Sequence, residues 1–177
     1  GNTDEGWTRW VLEQYEFDYT TLHNTDIRSA VLRRDFDVII LPDQPQRDLL
    51  EGYTANSVRS EYRGGIGEQG VMNLGRFVTE GGTLVTLGIS SNFVIDRFPI
   101  PVRNLKRGLR RDQHLAPGAI LRIQVDTANP AGYGMARDSY AFYDESPFFS
   151  LIEGFGALKP TVIARYPNQN IVASGWL

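Results

Sequence analysis

Ser90, Ser91 and Asn92 stand just past the β-prone run Thr83-Leu84-Val85-Thr86-Leu87 and just ahead of a short helical stretch, residues 93–97. A serine hydroxyl there could attack a carbonyl only with a base placed to take its proton. The chain has two imidazoles, His23 and His114, and no cysteine. Thiolate nucleophiles, thiolate zinc sites and disulfides are therefore excluded. Ser-Ser-Asn at a helix start reads first as a cap. The same place also suits an anionic ligand, because a helix N-terminus at the C-terminal edge of a parallel sheet presents N–H groups. Asp43 and Gln44 leave the end of a second buried run, Asp37-Val38-Ile39-Ile40-Leu41-Pro42. Ligand sites of α/β sheets form at such strand ends, and the same residue types also serve as turn formers.

Three further groups invite chemistry. Gly65-Ile66-Gly67-Glu68-Gln69-Gly70 fits G-x-G-x-x-G, but it follows a long polar stretch rather than a strand, and Glu68 would repel a pyrophosphate. It reads as a helix entry. Arg103, Lys106, Arg107, Arg110 and Arg111 crowd cations into a short segment. If that segment is helical, Arg103, Arg107 and Arg110 share a face, either a solvated one or a contact for an anion or another domain. The aromatics Tyr140, Phe142, Tyr143, Phe148 and Phe149 could line a carbohydrate or peptide groove, with core packing the plainer use.

The charge balance narrows the classes. Net charge is −3, and the basic segment lacks interleaved aromatics, which argues against a nucleic-acid binder. An apolar share of 41% supports a packed core rather than disorder. No apolar run approaches the roughly 18 residues of a membrane-spanning helix.

The elements that must position these residues follow from periodicity. Asp4 can cap a helix through about Tyr15 with Trp7, Trp10, Val11 and Leu12 on its apolar face. Tyr19 to Leu22 is a short β-prone run, and Thr25 or Asp26 can cap a helix over 27–32. Residues 37–41 and 83–87 read as buried parallel strands. The polar stretch 43–65 is too long for an ordinary connection and should contain a helical turn or be functional. Residues 68–80 read as a helix with Val71, Leu74, Phe77 and Val78 on one side, ended by Gly81-Gly82. Helices alternating with strands predict a parallel sheet with helices on its faces. After Pro99, the alternation of Leu121, Ile123 and Val125 with polar residues predicts a half-exposed strand, with more strands at 161–165 and 171–174. The expectation is one α/β domain over residues 1–177 with a β-rich second half. Its end, an apolar strand-like segment at 171–177, reads as an excised piece of a longer protein, truncated at its C-terminal side.

Several segments resemble one family together. They are Asp4-Glu5-Gly6-Trp7-Thr8-Arg9-Trp10-Val11-Leu12, residues 36–42, residues 65–88 around Phe77-Val78-Thr79-Glu80-Gly81-Gly82-Thr83-Leu84-Val85, Pro117-Gly118-Ala119-Ile120-Leu121-Arg122, and Ala164-Arg165-Tyr166-Pro167 running to Ser174-Gly175-Trp176-Leu177. They are similar to the C-terminal region of bacterial M14-family zinc carboxypeptidase-like proteins, where a class I glutamine-amidotransferase-like domain follows the peptidase domain. The resemblance implies a three-layer αβα fold with a mainly parallel sheet, flavodoxin-like. It implies a nucleophile elbow at Gly88-Ile89-Ser90-Ser91-Asn92, where such amidotransferases carry a cysteine that is absent here. Neither His23 nor His114 matches the late catalytic histidine of that family. His23-Asn24-Thr25-Asp26 departs from the peptidase His-x-x-Glu zinc motif, so the zinc is expected in the upstream peptidase domain of the parent and no cofactor in this chain.

The resemblance thus implies a non-catalytic accessory domain of a zinc-carboxypeptidase-like protein, used for interdomain docking or substrate positioning. Its partner would be the peptidase domain of the same polypeptide, and its location extracytoplasmic, periplasmic or secreted. Two other functions stay open: a serine-dependent hydrolase or amidase using Ser90 or Ser91, and a small-molecule or peptide-binding module at Asp43, Gln44, Ser90, Ser91 and Asn92.

Overall fold

The structure is a computed structural model that describes residues 2–29, 31–53, 58–59, 63–110, 112–154, 156 and 158–177. The chain forms two compact units, Gly1–Pro99 and Ile100–Leu177.

The first unit holds all six α-helices of the described residues. Helix α1 spans Thr3–Gln14 and is capped by Asn2, whose side chain accepts the Asp4 N–H at 2.9 Å. The cap lies two residues before the expected Asp4, because the asparagine carbonyl reaches the free N–H groups of the first turn. The helical stretch expected at 27–32 divides into α2 (Asn24–Ser29) and α3 (Leu32–Asp35). Strand β1 (Val38–Leu41) follows, then α4 (Gln46–Glu51), which lies within the long polar stretch. Positions 54–57 and 60–62 of that stretch lie outside the described residues. Helix α5 (Gly67–Thr79) crosses back to β2 (Thr83–Thr86), and α6 (Ser91–Arg97) ends the unit. Strands β1 and β2 pair in parallel, Val38 opposite Thr83 through Leu41 opposite Thr86.

Two glycines of the G-x-G-x-x-G segment, Gly65 and Gly70, serve packing. A Cβ at Gly65 would stand 2.2 Å from the Leu50 carbonyl oxygen, so only glycine lets the chain pass α4 this closely. The core joins Ile27, Leu32, Ile39, Leu41, Leu49, Ile66, Leu74, Phe77 and Phe93. Asn73 is buried among them; its Nδ2 donates to the carbonyls of Ile27 and Arg28 at 2.8 and 2.9 Å.

In the second unit, β3 (Val102–Asn104) pairs antiparallel with β6 (Phe149–Leu151). Strand β4 (Ala119–Val125) is the centre of a four-stranded sheet, antiparallel to β5 (Asp138–Tyr143), β7 (Ala164–Arg165) and β8 (Val172–Gly175). Its core is Ala116, Ala119, Leu121 and Tyr143, with Phe148, Ile171 and Val172 packed against it.

This architecture corrects the expected three-layer, mainly parallel sheet. Among the described residues the parallel sheet has two strands, and every other pairing between strands is antiparallel. Parallel strands need long crossovers, and the first unit supplies one, through α4 and α5. The β-prone Tyr19 to Leu22 run forms no strand. After Pro99 no α-helix lies between the strands among the described residues, so the helical crossover of a parallel pair is lacking and the pairings are antiparallel.

Candidate functional site

The two parallel strands end side by side, and the residues after them interlock. Beyond β1 come Pro42, Asp43 and Gln44; beyond β2 come a 3₁₀ turn, Gly88–Ser90, and α6. Asp43, Gln44, Ser90 and Ser91 are thus brought together as the sequence suggested. Asp43 Oδ1 accepts the Ile89 N–H at 3.2 Å. The Asp43 carbonyl accepts from Asn2 Nδ2 at 2.9 Å, which ties the start of α1 to the strand end.

Ser90 is fully buried. Its hydroxyl donates to the Pro42 carbonyl and lies 3.2 Å from the Gln44 carbonyl, while its oxygen accepts the Gln44 N–H at 3.1 Å. Every one of these partners is backbone. A nucleophilic role would require the hydroxyl to leave them for a base. The expected helix cap does not form either. Ser90 has helical φ and ψ and makes no side-chain cap bond, because its hydroxyl is committed across to the β1 end. Ser91 Oγ lies 3.2 Å from Thr86 Oγ1. Asn92 is half-buried in the first turn of α6. The chemistry of this arrangement is a clamp: the Ser90 hydroxyl and the Asp43 carboxylate, both on backbone groups, hold the adjacent strand ends, while Ser91 ties the start of α6 to the end of β2.

His23 precedes α2, where its N–H donates to Asp26 Oδ2 at 2.8 Å. No group of three His, Asp or Glu side chains among the described residues is placed to hold a metal ion. No helix among them is long and apolar enough to cross a membrane.

The shared basic face is not formed. Residues 102–104 are strand β3 and residues 105–108 are a turn, so helical spacing does not apply. Arg103 Nε donates to Ser150 Oγ at 2.8 Å, Arg110 forks onto Asp112 with both bonds at 3.0 Å, and Arg107 is exposed. Arg111 lies outside the described residues. Among the aromatics, Tyr143 is core and Phe148 packs against it, whereas Tyr140 and Phe142 project from the outer face of β5.

The second unit holds a cluster that no local pattern marks. A cavity of about 480 Å³ is bordered by Lys106, Leu109, His114, Leu115, Asp144 and Glu145. Lys106 Nζ meets Glu145 Oε2 at 2.5 Å, and the Ala116 N–H reaches Oε1 at 3.5 Å. The Lys106 bond, then the Ala116 bond, holds the Glu145 carboxyl below the usual glutamate range. His114 Nε2 lies 2.9 Å from the Tyr143 hydroxyl, which donates to the Ser146 carbonyl at 2.7 Å. With its one proton so used, the hydroxyl accepts from His114, so Nε2 carries hydrogen. Burial, with the nearby Tyr166 and Glu145 charges, pushes the Tyr143 phenol up to about 12. Lys106 and Glu145 are 39 residues apart, and only their opposite charges hinted at a meeting.

Comparison of the chain with protein-family models, with curated proteins and with solved structures finds no significant match in any of the three.

Proposed function

We propose that this chain is a non-catalytic accessory domain of a zinc-carboxypeptidase-like protein, docking on the peptidase domain of the same polypeptide or positioning substrate for it. The link to that family rests on the shared segments, above all Asp4 to Leu12 and Phe77 to Val85. The observation that carries the docking role is α1. The helix has no buried residue, and Trp7 and Trp10 are 62% and 51% exposed. Their rings pack edge to face at 5.8 Å and stand in solvent beside Val11. Exposed tryptophans clustered on one helix are the usual anchors of an interface. The non-catalytic part is supported by the Ser90 hydroxyl, whose bonds are all to backbone. In this reading the zinc and the hydrolysis belong to the peptidase domain, and the location is extracytoplasmic.

The test compares the full parent polypeptide with its Trp7→Ala/Trp10→Ala variant on a panel of peptides. A fall in kcat/KM of about tenfold or more, with the fold intact by circular dichroism, is the expected outcome. Unchanged kcat/KM with unchanged thermal stability removes the docking role of α1.

A further inference from the structure

Among the described residues strand β1 has one partner, β2. In a parallel ladder the N–H and C=O of one residue face the same neighbour, and successive residues face opposite sides. The Asp37 carbonyl accepts the Thr83 N–H at 2.9 Å and the Leu41 carbonyl accepts the Leu87 N–H at 3.0 Å. Odd-numbered residues therefore serve β2, and the N–H and C=O groups of Val38 and Ile40 point out of the other edge.

That edge borders a groove of about 800 Å³. All four residues of β1 touch it, and so do residues 17–22 without a gap. Neighbouring residues of a strand send side chains to opposite faces, so a groove that touches all of them runs along the backbone edge. The facing wall is equally unsatisfied. Among the described residues, no hydrogen bond engages an N–H or C=O of residues 18–22. Strand β1 and residues 18–22 thus line one slot, and among the described residues the outward main-chain donors and acceptors of both have no partner. The slot also carries four carboxylates, Glu5, Asp18, Asp35 and Asp37, against one guanidinium, Arg9. Arg9 holds Glu5 at 2.7 Å, and arginines of α3 hold Asp35 and Asp37 at 2.8 and 2.7 Å. Asp18 is the one of the four with no ion pair among the described residues.

We propose that this groove binds an extended peptide segment carrying basic side chains, which adds to the sheet as a strand between Val38–Ile40 and residues 18–22. Main-chain bonds to both walls supply the recognition, and a Lys or Arg of the segment meets Asp18. The proposal stands on the β1 edge and is independent of the zinc-carboxypeptidase reading.

The test titrates the isotope-labelled 177-residue chain with an end-blocked hexapeptide alternating valine and arginine, followed by amide NMR. The expected result is saturable shifts at residues 18–22, 38 and 40, with amide exchange at Val38 and Ile40 slowed about tenfold or more. The same peptide methylated on alternate backbone nitrogens should bind about tenfold more weakly. Asp18→Asn should weaken the parent peptide about threefold. Three outcomes overturn the proposal: no shifts at millimolar peptide, equal affinity of the methylated peptide, or Val38 and Ile40 amides already protected in the free chain. The last would mean that residues 18–22 close the edge themselves.

Discussion

The Asp43 carboxylate occupies the space that a side chain at Gly88 would need. A Cβ there would stand 2.0 Å from Asp43 Oδ2, and Gly88 has φ +53°, in the left-handed region. Glycine therefore lets the turn after β2 close against the end of β1, where the same carboxylate takes the Ile89 N–H.

Gly88→Ala should destabilise the first unit by about 2–3 kcal/mol, from left-handed strain and the displaced Asp43 bond together. The companion double variant with Asp43→Ala should cost about 1 kcal/mol less than the sum of the singles, since removing the carboxylate relieves the clash. Urea unfolding of the four proteins measures both, and strict additivity would show that the close approach carries no energy.

Ser90→Ala removes a buried hydroxyl and leaves the Pro42 carbonyl and the Gln44 N–H without this partner. A loss of about 1–3 kcal/mol is expected in equilibrium unfolding. A loss under about 0.5 kcal/mol would mean that water or a shifted backbone takes over these bonds.

Asn73→Leu keeps the side-chain bulk but strips the Ile27 and Arg28 carbonyls at the end of α2 of their side-chain donor. About 2 kcal/mol should be lost, with α2 amides exchanging faster than those of α5. Uniform exchange across both helices would contradict a local role.

Tyr143 is 2% exposed and its phenol titrates near 12, above its ordinary value. A raised phenol pKa means the folded state favours the neutral form. Its contribution is complete below pH 10 and is lost as pH rises from 10 toward 12. About 2–3 kcal/mol of the second unit's stability should disappear over that range. Ultraviolet titration of tyrosinate, wild type against Tyr143→Phe, should show the missing step as the late one. A missing step near pH 10 would refute the burial argument.

Much of the first unit was legible from short-range pattern. The apolar run from Val38 to Leu41 is a strand, and Val71, Leu74 and Phe77 turn one side of α5 into the core, as their spacing required. The placement of Asp43, Gln44, Ser90 and Ser91 at adjacent strand ends was legible, but not the bonds they make. They do converge, yet Ser90 bonds the Pro42 carbonyl, 48 residues back, instead of capping the helix it opens. A hydroxyl has the same local chemistry in either arrangement, and which acceptor it finds depends on a chain segment far away. Trp7, Trp10 and Val11 make the same point in reverse. Their spacing announces a buried helix face, and the described residues leave it uncovered.

Local chemistry biases what each stretch becomes: helix where apolar residues recur every three or four positions, strand where they run together or alternate, turn where glycine permits a left-handed backbone. These preferences act within a few residues, and packing overrides them in places, as at residues 19–22, where a β-prone run forms no strand. Pairing is another matter. That Val38 lies opposite Thr83, that Arg103 stands on a strand beside Ser150 rather than on a helix with Arg107, and that Lys106 reaches Glu145 are all results of chain closure over about forty residues. Such contacts are selected by the combined packing of distant surfaces against the entropy of closing the loop between them, a balance that no local window contains.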